Sequence, residues 1–185
     1  MRLLPWLCLA FLAQAQKLPH VIIETEMGSI EAEIEVARAP VTAANFLKYV
    51  DAKLYDGGRF HRSVKPDNQP DNAVKIEVIQ ASRRQGTEGF PAIPLERTSV
   101  TGVTHVSGTL SMARNGPDTA TSDFSIMIGD QHELDFGGKR NPDGQGFAAF
   151  GRVVSGMDVV RKIQAAPVTA QRLTPPVRIL SIRRK

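Results

Sequence analysis

Few side chains in this 185-residue sequence are spaced for covalent or metal chemistry. His132, Glu133 and Asp135 carry metal-capable atoms but match no ligand spacing, so they read as an acidic loop and no metal is expected. Asn141-Pro142-Asp143-Gly144 is turn chemistry, because the alternating acidic ligands of a calcium loop are missing. There is no phosphate-binding loop, dinucleotide fingerprint or nucleophile elbow. Two basic clusters, Arg83-Arg84 and Arg183-Arg184-Lys185, could touch an anionic polymer or a membrane surface. No aromatic residues interleave with them as a nucleic-acid platform would need, so they read as solvated charge and no nucleic-acid partner is expected.

The elements that would position any site belong to one domain. Hydrophobic residues make up 42% and charged residues 23% of the chain, with a net charge of +4, an ordinary globular balance without repeats or a linker. The N-terminus is separate. Arg2, the apolar run Leu3 to Leu12, and Ala13-Gln14-Ala15 have the anatomy of a secretory signal peptide. The run is too short for a comfortable membrane span. The expectation is a signal over residues 1–15 and a domain over 16–185, exported to the periplasm or secreted, monomeric, and without stable membrane insertion after cleavage. An uncleaved anchor is the alternative. Cys8 and Trp6, the only cysteine and tryptophan, lie in the signal, so the mature chain would have no disulfide and be held by packing alone.

The rest reads mostly as strand. His20 to Thr25 is β-rich, and Ala32, Ile34 and Val36 alternate with Glu31, Glu33 and Glu35, the period of a half-buried strand. Pro40 suits a first helical position, followed at helical spacing by Phe46, Leu47, Val50 and Leu54. Strands are expected over 60–64, 74–80, 108–113, 124–128, 147–154 and 177–182, a second helix over 157–164, and long loops over 65–72, 83–105 and 135–146. Many short strands with two helices suggest a closed barrel or a sandwich. Alternation puts Val78 and Gln80 on one face of their strand, and separates Phe124 from Ser125.

Three blocks resemble the cyclophilin family: Tyr55-Asp56-Gly57-Gly58-Arg59-Phe60-His61-Arg62, Gly108 to Thr119, and Ala149 to Val160. Their order and spacing fit over nearly the whole mature chain, and the middle block is the most specific. The resemblance implies an all-β fold, a closed eight-stranded antiparallel β-barrel capped by two α-helices, with a proline-binding groove on its outer face and no metal or cofactor. It implies peptidyl-prolyl cis-trans isomerase activity on proline-containing polypeptides.

Carried over by position, the resemblance implies that Arg62 matches the family's catalytic arginine and Gln80 the groove glutamine that helps hold the substrate and that arginine. Ala113 and Arg114 lie in the peptide-binding stretch, where the family has Ala-Asn, and Leu134 lines the pocket. Several positions depart from the family. Val78 replaces a methionine, Glu77 a phenylalanine, Asp123 a groove glutamine, and Ser125 the phenylalanine that floors the proline pocket. The usual tryptophan is Glu133, and the usual pocket histidine falls near Gly146 or Phe147. Phe147 is a candidate to refill the gap at Ser125. Insertions at 67–72 and 136–143 should flank the groove. His61, placed by alternation on the opposite face from Arg62, reads as a packed, hydrogen-bonded histidine. Glu77, Asp123 and Ser125 would make the groove unusually polar. That leaves three readings: an isomerase, a weakly active or non-catalytic proline-peptide-binding chaperone, and a structural envelope barrel.

Overall fold

The structure is a computed structural model that describes residues 17–185, so the signal-peptide reading and the expected start at Gln16 fall outside the described residues. The strands are β1 (His20–Thr25), β2 (Gly28–Ile34), β3 (Arg59–Val64), β4 (Val78–Ser82), β5 (Thr109–Met112), β6 (Phe124–Met127), β7 (Ala149–Ser155), β8 (Val168–Thr169) and β9 (Arg172–Arg184). The helices are α1 (Pro40–Asp51), α2 (Thr98–Thr101) and α3 (Met157–Ala165). The sheet runs β1-β2-β7-β5-β6-β4-β3-β9, and β9 pairs back onto β1. That closes an eight-stranded antiparallel barrel and leaves no open edge in the ring. The two-residue β8 pairs only with β9, outside the ring.

Alternation fills the barrel. Val21 and Ile23 of β1 and Ile30, Ala32 and Ile34 of β2 are fully buried, while Glu31 and Glu33 face outward. The pattern stops two residues earlier than the sequence suggests: β2 ends at Ile34, and Glu35 is a buried carboxylate bonded to Arg38. Helix α1 closes one end with an aromatic cluster. The Phe46 ring lies 5.4 Å from Phe124 and 5.1 Å from Phe150, and Tyr55 sends its hydroxyl to the Ser122 carbonyl at 2.6 Å. No local side chain caps α1. The Glu96 carboxylate does so from across the fold, accepting from the Val41 and Thr42 N–H groups at 3.1 and 2.7 Å. At the other end α3 buries Val160 and Ile163.

Three expectations need correction. A third helix, the single turn α2, interrupts the stretch read as irregular loop, and Gly102 ends it in a left-handed conformation. The strand expected from Val74 starts at Val78, because the Gln69 side chain takes both backbone groups of Ile76, accepting from its N–H at 3.2 Å and donating to its carbonyl at 2.8 Å. Likewise β7 starts at Ala149, since the Phe147 N–H donates to the Leu134 carbonyl at 3.0 Å.

Candidate active site

The outer wall formed by β3, β4, β6 and β5 carries two cross-strand rows. In the first, Arg62 stands opposite Gln80, Gln80 opposite Ser125, and Ser125 opposite Ser111. In the second, Val64 faces Val78, which faces Met127. Ile76 and Leu134 extend the apolar row into a small second core with Phe147 packed against it. A cavity of about 450 Å³ opens over both rows, and all nine residues singled out from the sequence line it: Arg62, Val78, Gln80, Ala113, Arg114, Asp123, Ser125, Leu134 and Phe147. Phe124, by contrast, points into the barrel and is fully buried.

A β-bulge aims Arg62. The register of β3 slips between Phe60 and Arg62 against both neighbouring strands. Residues two apart normally share a face, yet Phe60 is in the core and Arg62 on the outer wall, because the extra residue, His61, inverts the parity. His61 therefore does not face away from Arg62: both line a second depression beside the groove. Nor is it fully hydrogen-bonded, since its Nδ1 is buried without a partner. Burial, with the nearby Arg59 and Arg62 charges, pulls its pKa below the ordinary histidine value against the opposing pull of Asp123.

Arg62 is bracketed on both sides. One terminal nitrogen donates to Gln80 Oε1 at 3.1 Å, while Nε and the other terminal nitrogen donate to Gln171 Oε1 at 2.9 and 2.6 Å. Gln171, at the end of the turn preceding β9, was not legible in the sequence. It is held by its own Nε2, which donates to the Asn68 carbonyl at 2.9 Å. The first insertion thus acts on the site through Asn68, whose side chain also ties down the Ser63 and Ala170 carbonyls at 3.0 and 3.1 Å. Burial lowers the Arg62 pKa from the ordinary arginine value; a guanidinium keeps its proton even so.

The second insertion supplies Arg140, another residue the sequence reading missed. It lines the cavity and donates to the Val74 carbonyl at 2.6 Å. Its pKa is lowered by burial and by the Arg62 charge. Arg114 braces the same loop. Its guanidinium is almost wholly buried, donates to Gly146 O at 2.8 Å and to both Asp143 oxygens at 2.7 and 3.0 Å, and lies over the Phe147 ring at 4.9 Å. The Ala113 N–H is bonded to the Asp123 carbonyl at 2.8 Å. Asp123 sits half-buried at the groove's edge, and desolvation raises its pKa. Glu77 is absent from the lining: it turns toward α3 and accepts from Gln164 Nε2 at 3.0 Å, so it does not make the groove polar.

Beneath Ser111 lies a buried chain also missed by sequence reasoning. Ser111 Oγ is 2.8 Å from His105 Nε2, and His105 Nδ1 is 2.7 Å from Asp135 Oδ1. These residue types can form a nucleophilic triad, but Ser111 is only 2% exposed and paired on both sides within the sheet. The chain instead fixes the wall of the groove. Among the described residues no three His, Cys, Asp or Glu side chains converge to hold a metal ion.

Fold and site together define a closed antiparallel barrel with a peptide-sized groove, apolar on one side and guanidinium-bearing on the other. A sequence model of the cyclophilin-type peptidyl-prolyl cis-trans isomerases matches residues 20–184, and the chain belongs to that family. It is 32% identical over 182 residues to a peptidyl-prolyl cis-trans isomerase of Acinetobacter baylyi, covering 94% of this chain and 90% of that one. It is 34% identical over 145 residues to peptidyl-prolyl cis-trans isomerase A of Dickeya dadantii, covering 78% and 70%. A Cryptosporidium parvum cyclophilin-type isomerase superposes with a TM-score of 0.73 at 20% identity over 91% of this chain and 98% of that one, and so shares the fold. The crystal structure of the same protein in the presence of the dipeptide Ala-Pro gives a TM-score of 0.71 at 20% identity, covering 89% and 97%.

Proposed function

We propose that this family member isomerises X-Pro bonds of exported or folding polypeptides, with Arg62 stabilising the twisted amide. The observation that carries this reading is the bracketing of Arg62 by Gln80 and Gln171 at the border of the apolar patch. The uncatalysed barrier is about 18–20 kcal/mol, because amide resonance is lost on rotation. At the midpoint the proline nitrogen becomes pyramidal and gains a lone pair. A fixed guanidinium can donate to that nitrogen or hold the neighbouring carbonyl without losing its proton. Charge-assisted bonds of roughly 1.5–3 kcal/mol, made only at the twisted state, lower the barrier without a nucleophile or general base. The apolar row, Leu134 and Phe147 give the ring a dry seat.

Exchange NMR on an Ala-Pro peptide, wild type beside Arg62→Ala, tests the role. The expected result is a large loss of exchange in the variant. Equal rates would favour the non-catalytic chaperone, a reading that draws on Ser125 and Asp123 in the lining. Export rests on the pattern of residues 2–15. Mass determination of the N-terminus after expression with and without secretion machinery tests it, a retained Met1 in the exported form being the adverse outcome.

A further inference from the structure

Beside the groove, sharing Arg62, Thr121 and Asp123 with it, lies a larger depression of about 860 Å³. Its walls carry Arg59, Arg62, Arg83, Arg84 and Arg172, against one carboxylate, Asp123. Four surface arginines elsewhere are matched by carboxylates: Arg178 by Glu26, Arg183 by Asp56, Arg184 by Asp51 and Arg152 by Glu33. None of the five forms such an ion pair among the described residues. Arg62 and Arg83 are held by neutral partners, Gln80 and Gln171 for the first and Thr87 for the second. Arg62 stands directly opposite Arg172, and Arg59 opposite Arg178, like-charge pairs that a sheet ordinarily avoids. His61 adds its unpartnered buried Nδ1 to the same wall. Unneutralised cations gathered in one concave site, two of them held in place, are what recognition of an anion requires.

We propose that this depression binds acidic side chains flanking the X-Pro bond, so that the enzyme prefers clients with Asp or Glu a few residues from the proline. The inference rests on the groove being the X-Pro site. Continuity with that groove through Arg62 and Asp123 points to a peptide segment. The lining contains no Phe, Tyr or Trp on which a nucleobase could stack. An extended chain advances about 3.3 Å per residue, so the residues next to the proline reach the arginines.

The test compares one Ala-Pro core flanked on either side by three Glu, three Gln or three Lys, by exchange NMR and by shift titration. The expected result is a kcat/KM for the Glu peptide about five- to tenfold above the Gln peptide at low ionic strength, falling with added salt. An Arg84→Ser/Arg172→Ser double variant, at two exposed positions, should abolish the difference and leave the Gln-peptide rate unchanged. Equal rates for Glu and Gln peptides would overturn the proposal. So would binding of a proline-free glutamate peptide as tight as the Glu-flanked Ala-Pro peptide, which would assign the depression to anions unrelated to the groove. Were no peptide turned over, the catalytic reading would fail alone: titration would still decide whether the Glu peptide binds over the Gln peptide and shifts the arginine-lined wall.

Discussion

Gln171 holds Arg62 through a single oxygen that accepts two of its hydrogen bonds, at 2.9 and 2.6 Å, from a position 109 residues away in the chain. Gln80, the partner the family resemblance suggests, takes only one, at 3.1 Å. Gln171→Ala should therefore let the guanidinium swing. On the role proposed for Arg62 at the twisted state, the loss should appear in kcat with KM nearly constant, by about tenfold for each ~1.4 kcal/mol of lost alignment. Asn68→Ala, which loosens Gln171 indirectly, should do the same more weakly. Unchanged kcat in Gln171→Ala, measured by exchange NMR, would show that Gln80 alone suffices.

Phe147 lines the cavity with Ser125 and packs on the apolar patch formed by Val64, Ile76, Val78, Met127 and Leu134. The buried Arg114 guanidinium, stacked at 4.9 Å, keeps the ring from moving freely. Complete burial of a large apolar side chain is worth roughly 1.5–3 kcal/mol, and one wall of a proline pocket supplies part of that. Phe147→Ala should weaken peptide affinity by about tenfold while the rate at saturation changes little. Arg114→Ala should weaken it as well, by freeing the ring. Titration showing full affinity in Phe147→Ala would remove it from the pocket.

The groove was legible where period-two alternation governs. Val78 and Gln80 do share the outer wall, and Phe124 and Ser125 do divide between core and cavity. It was illegible where a side chain replaces a strand partner or a bulge changes parity. Nothing local marks His61 as the inserted residue, so alternation sent it to the wrong face. Gln171, His105 and Arg140 act on partners brought in by barrel closure or by loops, where no sequence period connects them. The same holds for Glu96, which caps α1 from 55 and 54 residues away.

Gly146 should tolerate no side chain. Its φ is +67°, and a Cβ there would stand 2.6 Å from the Asp135 carbonyl carbon and 2.7 Å from the Phe136 nitrogen. Its carbonyl also receives the Arg114 Nε. Left-handed strain and collision with backbone act together, so Gly146→Ala should cost about 2 kcal/mol or more. It should also weaken peptide binding by displacing Phe147. Gly144→Ala is the control: φ is +61° but nothing lies within 4 Å, so strain alone should act, at about 1 kcal/mol. Urea unfolding of both variants checks the order, and equal losses would contradict it.

Stability should fall on the acid side in two separable steps. Burial lowers the His61 pKa, helped by Arg59 and Arg62. The unfolded chain then binds the proton more readily than the folded one. This contribution is fully present above the unfolded value of about 6.5 and is lost as pH falls below it toward the folded value. Asp135 comes next. Burial alone would raise its pKa, but hydrogen bonds from His105 and His132 carry it below the ordinary carboxylate value. Its contribution is present above about 3.9 and is lost as pH falls through the folded value. Asp123, raised by burial, acts in the opposite sense, contributing most at low pH and losing that as pH rises through its folded value. Differences between variants and wild type therefore isolate each group better than the raw profile. Urea unfolding from pH 3 to about 8 should show the upper step missing in His61→Leu and the lower one reduced in Asp135→Asn, its remainder belonging to the ion-paired Glu31, Asp51, Asp56 and Asp143. A His61→Leu profile parallel to wild type between pH 5 and about 7 would mean that the buried imidazole is not proton-linked to folding.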